Sequence, residues 1–576
     1  MEHGNDAAAR TGRTDYDVVV AGVGPVGLFL ACELRLGGAR TLVVERLTEV
    51  DETIKAGAIN TPTAVALYRR GLLPELAAVW EQSLRRIREF MRAGGAPGNS
   101  GAAGATGAPG APGAPGAPGA PGAPGFRTPP KFAGHFAGIM MDAELFDDSD
   151  PAYADLGPAG EIGLGVPQAE LERILAARAE QLGVEIRRGV ELTGFEEHGS
   201  EPAEDGSGPR EGVAVWLAPV GGGDGRPVSP ERVRASWLVG CDGGRSTVRK
   251  LAGFDFPGTP PEITGYQAIA ELTGTEKLGA GWNTTEVGTY VHGPFPGRVL
   301  TVEFDGPPAD RSAPVTAEEL QASLRRVSGV PDVTVTKVRS VTRFTDNARQ
   351  ATTYRKGRVL LAGDAAHVHS PFGGQGLNLG IGDAMNLGWK LAAVVRGSAA
   401  EGLLDTYTAE RHPIGAWVLD WTRAQIAVMR PDRHARALRR IVTDLALTTT
   451  GTTYLVKQIS GVWQRYDLPG DHPLVGASAP DLELGDGTRL GDRLHGGRGL
   501  LLDLAGNPEV RGLADGYGDR LDVLTARCPG RPDLAALLVR PDGFVCWAAD
   551  TEPAMPGVDP LPQALERWFG TPVRPA

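Results

Sequence analysis

The stretch from Gly357 to Asn378, GRVLLAGDAAHVHSPFGGQGLN, concentrates residue types that hold an anionic ligand. Val359, Leu360, Leu361 and Ala362 form the short apolar run of a strand buried on both faces, and Gly363-Asp364 ends it with a carboxylate that can meet a ligand hydroxyl. Gly373, Gly374 and Gly376 leave backbone N–H groups open to close approach. They stand directly ahead of a helix marked by the spacing of Leu377, Ile381, Ala384, Leu387, Leu391 and Val395. Free amides and the helix dipole both favour negative charge there, of the kind a reduced isoalloxazine ring carries at its pyrimidine edge. His367 and His369, two apart on an extended segment, share one side and invite a metal reading. No third ligand stands in usable spacing, and Pro371 with the glycines suits the wall of a flat cofactor better than a tetrahedral cage.

Two further strand ends carry related chemistry. Gly22-x-Gly24-x-x-Gly27 follows an apolar run and opens a helix, with Pro25 and Val26 inside the loop, the context that makes this glycine pattern a dinucleotide fingerprint. Gly24 lets the backbone approach a pyrophosphate. Glu45, with Arg46 beside it, ends the next strand about twenty residues on, where a carboxylate can accept both hydroxyls of an adenosine ribose. The pattern alone does not separate FAD from NAD. Residues 237–249, WLVGCDGGRSTVR, form another strand that ends in an acid and glycines before a helix. Asp242 is a ligand candidate there, although capping the helix that carries Val248 and Leu251 also explains an acid.

Positioning these residues requires a βαβ opening, with a strand over 16–21, a helix over 25–36 and a strand over 41–44. A second helix-strand unit occupies 167–182 and 184–187, and the scaffold resumes at 235–240 after a polar loop at 198–212. Strand material at 87–91 and 132–141, strands at 264–272, 289–292 and 299–304, and one helix at 318–327 indicate a separate sheet. Helical periodicity runs from Leu377 to about residue 449, broken once at Arg411-His412-Pro413. From about residue 471 new strands begin, at 499–504, 522–525 and 537–540, with a turn at Pro541-Asp542-Gly543. Residues 95–124 are ten triplets with Gly first, mostly Gly-Ala-Pro, a composition that cannot build a packed core and reads as a solvated excursion rather than a collagen helix.

The whole chain bounds the partners. Its 576 residues imply two or three domains, and 70 acids against 58 bases leave a net charge of −12 with no basic surplus for a phosphate backbone. Nucleic acid is not an expected partner. The 4 cysteines are far apart and suit a reducing cytoplasm. Residues 1–14 read as a polar tail without an apolar h-region, and no run of about 18 apolar residues suggests a membrane span.

Taken together, Gly-x-Gly-x-x-Gly at Gly22, Asp-Gly at Asp242 and Gly-Asp at Gly363 resemble, in this order, the single-component FAD-dependent aromatic hydroxylases over roughly residues 15–420. Residues 241–258 and 363–378 are especially similar to the branch acting on bacterial aromatic polyketides and rifamycins. The resemblance implies an α/β fold: a Rossmann-like FAD-binding domain (15–84, 160–258 and 344–420), an interleaved α+β substrate sheet (85–159 and 259–343), a helical connector (421–470) and a thioredoxin-like C-terminal domain (471–576). Leu538-Val539-Arg540-Pro541-Asp542-Gly543 is the clearest piece of that last domain, which lacks a redox cysteine pair. The resemblance further implies that FAD is reduced by NADPH and captures dioxygen as a C4a-hydroperoxide, which hydroxylates a polycyclic aromatic substrate. Glu45 would bind the adenosine ribose, Gln168 would lie along the ribityl-pyrophosphate stretch, Asp364 would meet the ribityl or phosphate region, and Asp242 would support the FAD and nicotinamide path. Gly374, Gly376, Leu377 and Asn378 would face the flavin pyrimidine. Lys55 stands where the branch usually has Arg, and Asn60-Thr61-Pro62-Thr63 replaces its Arg-Ser/Thr segment. His135, Tyr290 and His292 fall in substrate-layer strands, no catalytic base is named, and a monomer or homodimer is expected.

Overall fold

A computed structural model describes residues 15–53, 55–92, 132–160, 165–198, 211–221, 230–293, 297–311, 313–551 and 560–573. The expected tail at 1–14, the Gly-Ala-Pro triplets and most of the loop at 198–212 lie outside the described residues. The chain opens with strand Tyr16–Ala21, helix Pro25–Leu36 and strand Thr41–Glu45, within one residue of expectation. Val18, Val19 and Val20 are wholly buried, as a strand covered on both faces requires.

These elements belong to an eight-stranded sheet. Across it run Arg355–Lys356, Val359–Leu361, Glu231–Gly240, Tyr16–Ala21, Thr41–Glu45 and Glu185–Arg188, and every pair but the first is parallel. Val190–His198 and Gly212–Pro219 extend it as an antiparallel meander from Glu231–Gly240. Register brings the chemistry together. Ala21 and Leu361 both pair with Gly240, so the three glycine-containing strand ends finish side by side at the carboxyl edge. Helix Gly376–Val395 is buried along nearly its whole length and packs on Pro25–Leu36, close enough that a Cβ at Gly388 would lie 2.3 Å from Glu33 Cβ.

A second, antiparallel sheet has the order Gly281–Thr284, Gly288–His292, Arg298–Glu303, Thr264–Thr273, Thr334–Phe344. One face packs Tyr290 and Val299 against Leu324 and Val327 of helix Ala317–Ser328. The other sets Val291, Leu300 and Val302 against Phe136, Phe372 and Trp421, beneath the hairpin of Phe132–Phe136 and Ile139–Asp142. A third sheet, ordered Leu521–Thr525, Gly499–Asp503, Leu534–Val539, Val545–Asp550, has its first pair parallel and the others antiparallel.

Two expectations are corrected. Residues 87–91 are not a strand but the last turns of helix Leu73–Arg92. Leu76, Val79, Trp80, Leu84, Ile87 and Met91 recur at helical spacing, and the full 20-residue window carries that period more clearly than its last five residues. Pro413 does not break its helix either, since Thr406–Met429 runs through it. The missing N–H removes one hydrogen bond, but Glu410, Arg411, Ile414 and Val418 are buried on both sides of it and His412 O accepts from Gln350 Nε2 at 2.9 Å. The breaks fall instead at Arg396 and Arg430, and helices Arg433–Ala446 and Thr449–Ser460 carry the helical region past residue 449.

Candidate cofactor and substrate site

The first glycine loop is shaped by close contacts on one side and openness on the other. Gly22 has φ +112°, and a Cβ there would lie 2.3 Å from Cys241 O; one at Gly27 would lie 2.0 Å from Gly22 O. A Cβ at Gly24, the residue that caps helix Pro25–Leu36, would meet nothing within 4 Å. The loop is therefore packed tightly against its neighbour strand and left clear at the helix start, a place with the free amides and dipole that suit a phosphate. Pro25 begins the helix and Val26 leans on Gly363, its Cγ2 being 3.1 Å from where a Cβ would stand. Glu45 closes the adjacent strand: its Oε2 accepts from Val23 N at 3.0 Å and its Oε1 from Leu47 N at 3.0 Å. Both oxygens are thus fixed in place, each with a lone pair left for a ribose hydroxyl. Arg46 is exposed beside it.

Asp242 does cap its helix, but with only half of the carboxylate. Oδ2 accepts from Thr247 N and Val248 N at 2.7 and 3.0 Å, while Ser246 caps Arg249 N at 2.9 Å. Oδ1 is buried without a partner. Capping accounts for Oδ2 and leaves this orphaned oxygen beside the glycine strand ends unexplained.

The third loop adds an unforeseen anchor, Asp383 of helix Gly376–Val395. Its Oδ2 accepts from Gly363 N at 3.0 Å and lies 2.7 Å from His367 Nε2, and its Oδ1 accepts from Arg411 Nε at 2.8 Å. Burial alone would raise this carboxyl, yet the facing His367 and Arg411 outweigh it and hold Asp383 below the usual range. His367 therefore serves the loop. His369 bonds Ser370 O through Nδ1 at 2.7 Å, which makes Nε2 an acceptor. That Nε2 is buried without a partner and lies 3.5 Å from where a Cβ on Gly376 would stand, with Asp364 Oδ1 at 3.8 Å. Burial lowers the His369 pKa and keeps the ring neutral. The sequence offered His369 only as a metal ligand, and among the described residues no group of three metal-type side chains gathers.

Asp364 is exposed at the strand end, and Gly374, with φ +63°, has nothing within 4 Å of a would-be Cβ. Exposed Pro371 closes a turn by accepting from Gly374 N at 3.2 Å. The amides of Gly376, Leu377 and Asn378 belong to the helix start and lack intrahelical acceptors, the ladder beginning where Leu379 N donates to Gln375 O at 2.8 Å. The Asn378 side chain is a brace: Oδ1 accepts from Asn60 N at 2.8 Å and Nδ2 donates to Gly374 O at 2.7 Å. Gln168 begins its helix, takes Ala56 O as acceptor at 2.9 Å and donates to Glu172 at 2.8 Å, while Lys55 pairs with Asp51 at 3.1 Å. An orphaned oxygen at Asp242, a free acceptor at His369 and an open Gly24 fit a long polar cofactor laid across the three strand ends. A cleft of about 710 Å³ lined by Trp237, Gly357 and Arg358 opens at the other, amino edge of the sheet, away from these loops.

Beyond Phe372 the site turns aromatic. Phe372 meets Trp282 and Phe344 with ring centres 6.2 and 5.8 Å apart, His135 meets Trp282 at a tilt at 4.6 Å, and Phe136 meets Trp421 at 4.7 Å. His135 thus belongs to this chamber. Tyr290 does not, because it faces the helix side and its hydroxyl accepts from Gly279 N at 3.0 Å; His292, two residues on, shares that face.

Residues 15–422 match the FAD binding domain family, and residues 472–572 the C-terminal domain of aromatic-ring hydroxylases. The chain belongs to the FAD-dependent aromatic-ring hydroxylases. It is 40% identical to a 12-dehydrotetracycline 5-monooxygenase/anhydrotetracycline 6-monooxygenase of Streptomyces rimosus, with 97% of this chain and 99% of that one aligned. It is 38% identical to a rifampicin monooxygenase of Streptomyces venezuelae, over 96% and 99%. The solved structure of OxyS anhydrotetracycline hydroxylase from Streptomyces rimosus superposes with a TM-score of 0.77 at 38% identity, covering 97% and 100%.

Proposed function

We propose that this FAD-dependent monooxygenase consumes NADPH and dioxygen to hydroxylate a polycyclic aromatic polyketide in antibiotic biosynthesis. The observation that carries the reading is the adjacency of two surfaces. Three glycine strand ends form a dinucleotide cradle, and Phe372, on the loop that leaves it, is a wall of the aromatic chamber. Flat rings suit such walls, since offset and tilted aromatic contacts add about 0.5–1.5 kcal/mol each. FAD, when bound and reduced, supplies the activated oxygen. The chain positions and shields. Glu45 and the Gly24 helix start hold the adenosine end; Asp242 Oδ1, Asp364 and His369 Nε2 meet the middle; the amides at Gly376 and Leu377 stabilise negative charge at the ring. Trp282, Phe344 and Phe372 exclude water from the transfer.

The domain division given by resemblance is part of this proposal. Its C-terminal piece runs strand, helix, strand, strand, strand, helix in the sheet order second-first-third-fourth, which supports a thioredoxin-like fold. No helix of the described residues is long and apolar enough to cross a membrane. The test is NADPH oxidation by the FAD-loaded protein with polycyclic phenols, read with product mass. Coupled NADPH loss and a product one oxygen heavier that carries a new phenol are expected. A lactone without a new phenol refutes hydroxylation, and FAD retention without NADPH oxidation refutes turnover.

A further inference from the structure

Between the C-terminal sheet and the cofactor scaffold lies a cavity of about 290 Å³ for which the proposed reaction has no use. One wall is helix Gly376–Val395, where Trp389, Ala393 and the capping residue Arg396 recur at helical spacing and so share a face. The opposite wall comes from the C-terminal part: Arg498 just ahead of strand Gly499–Asp503, Arg520 ahead of Leu521–Thr525, and Trp568 and Phe569 closing helix Pro560–Phe569. Glycines bring the walls together. A Cβ at Gly497 would lie 3.0 Å from Leu36 Cβ, and one at Gly37 would lie 2.3 Å from Ala392 Cβ. Small-molecule sites favour such junctions between domains, and their volumes begin at about 300 Å³.

The side chains around this space are mostly donors. Among the described residues the Arg396 guanidinium has no hydrogen-bond or ion-pair partner, and Trp389 keeps its Nε1 buried without an acceptor. Arg498 gives one nitrogen to Asp522 at 2.9 Å. Arg520 is occupied on all three nitrogens, by Asp519 at 3.2 Å, Phe569 O at 2.5 Å, and Gly516 O and Thr571 O at 3.1 Å each. The carbonyls at the helix end would repel an anion, but Ala392 O, Ala393 O and Val394 O already accept from Arg396 N, Ser398 N and Gly397 N at 3.0 Å each. Asp519 is the single carboxylate among the lining residues, against three arginines, in a chain of net charge −12. The unanswered charge is positive.

Trp389, Trp568 and Phe569 supply flat apolar walls, and Arg540, 5.4 and 4.5 Å from the ring centres of the two tryptophans, ties both sides of the cavity to one buried group. We propose that this cavity binds a planar aromatic carboxylate, its acid group on the forked guanidinium of Arg396 with Arg498 beside it, and its ring against Trp389 and Trp568. The ligand is a second one, separate from the substrate. At 1.5 Å per residue, Trp389 and Arg396 stand roughly 20 and 30 Å along the helix from its first amides at Gly376. A bound acid bridges the cofactor helix and the C-terminal sheet, and it stabilises their contact in proportion to its occupancy.

The probe is 2-naphthoate, with 2-naphthamide as a neutral control of the same shape, each dialysed to equilibrium against the FAD-loaded full chain. Wild type is expected to hold the acid at a saturable site, more tightly than the amide, and to melt at a higher temperature as the acid is added. Arg396 is exposed, so replacing it leaves the fold standing. Arg396→Met should weaken 2-naphthoate by about 10- to 100-fold, as for losing a hydrogen bond between charged groups, and should cancel the rise in melting temperature. Amide binding and FAD content should be the same in both proteins. Arg396→Lys should recover part of the affinity, which separates lost charge from lost packing. The proposal is overturned if Arg396→Met binds 2-naphthoate as tightly as wild type, which would put the probe elsewhere in the molecule, if wild type holds the amide as tightly as the acid, or if it shows no saturable binding of the acid.

Discussion

Gly22 and Gly24 stand two residues apart and answer to different constraints, one from the chain and one, in the proposed site, from the cofactor. Gly22→Ala places a Cβ 2.3 Å from Cys241 O at φ +112°, so beyond the roughly 1–2 kcal/mol of left-handed strain the strand pair itself must shift. Gly24→Ala meets nothing within 4 Å. Thermal melts of the FAD-free proteins should therefore show Gly22→Ala strongly destabilised and Gly24→Ala unchanged, with FAD affinity in the latter down by at least about tenfold, or ~1.4 kcal/mol. Equal affinity would remove the cofactor from this helix start. His135 makes a pH-dependent prediction. Its folded pKa of about 4 lies below the 6.5 of the free side chain, so the unfolded chain binds the extra proton between those values and stability falls as pH drops through that window. His135→Phe should flatten that part of the pH–stability curve relative to wild type; parallel curves would show the ring is charged where it stands. At this scale the sequence was legible where a residue type has one physical use: glycines at strand ends, Glu45 about twenty residues on. It was silent where the meaning depends on what a residue lacks. Arg298 and Trp421 are ordinary strand and helix residues until the fold leaves Arg298 Nε and Trp421 Nε1 buried without acceptors.

Asp383 shows how an element, rather than a residue, prepares the cofactor loop. It sits two turns into helix Gly376–Val395, and its carboxylate ties that helix to Gly363 N, His367 and Arg411 at once. The helix whose first amides are proposed to stabilise the flavin thereby also fixes the strand end that carries Asp364. Asp383→Asn keeps the shape but removes the buried negative charge facing Arg411, a loss that costs about 3–5 kcal/mol when one partner of a buried pair is removed. Reduced FAD occupancy is the expected result, with the loop at 363–376 exchanging amide hydrogens faster than the strand Tyr16–Ala21; unchanged exchange in that loop would show that Asp383 is only a core residue. No sequence period announces such a role, because an acid inside an apolar helix face reads as an interruption. Periodicity had the opposite fault at 87–91, where a five-residue view suggested a strand and the 20-residue helix Leu73–Arg92 prevailed. At Pro413 a local rule was outweighed by tertiary burial, which a sequence period does not measure.

Across the whole molecule, the C-terminal sheet is joined to the cofactor scaffold by a buried charge cluster. Arg540 donates to Glu410 Oε1 and Oε2 at 2.9 and 2.8 Å, contacts Asp542, and lies over the Trp568, Tyr466 and Trp389 rings at 4.5, 5.3 and 5.4 Å. Lys390 reaches the same Glu410 at 2.9 Å, and its pKa is lowered to about 8 by burial, against the pull of Glu410. Nearby, Arg70 pairs with Glu33 at 2.6 Å and donates to Pro541 O at 2.7 Å. The turn at Pro541-Asp542-Gly543 is thus a plug set, together with Arg540, against the helices Gly376–Val395 and Thr406–Met429 and their neighbours. Those helices also carry Asp383 and Arg411, and Tyr466 touches both clusters, accepting from Arg411 at 3.3 Å. A double-mutant cycle tests whether the cluster works as one unit. Arg540→Met leaves Glu410 and Asp542 buried without their main cation, and Glu410→Gln leaves Lys390 without its anion, so each alone should cost about 3–5 kcal/mol and expose the chain around 461–471 to proteolysis. The double variant removes charges of both signs together and should cost less than the sum of the single variants, by about 1–3 kcal/mol. Additive losses would mean that Arg540 and Glu410 contribute independently and that the cluster does not act as one unit.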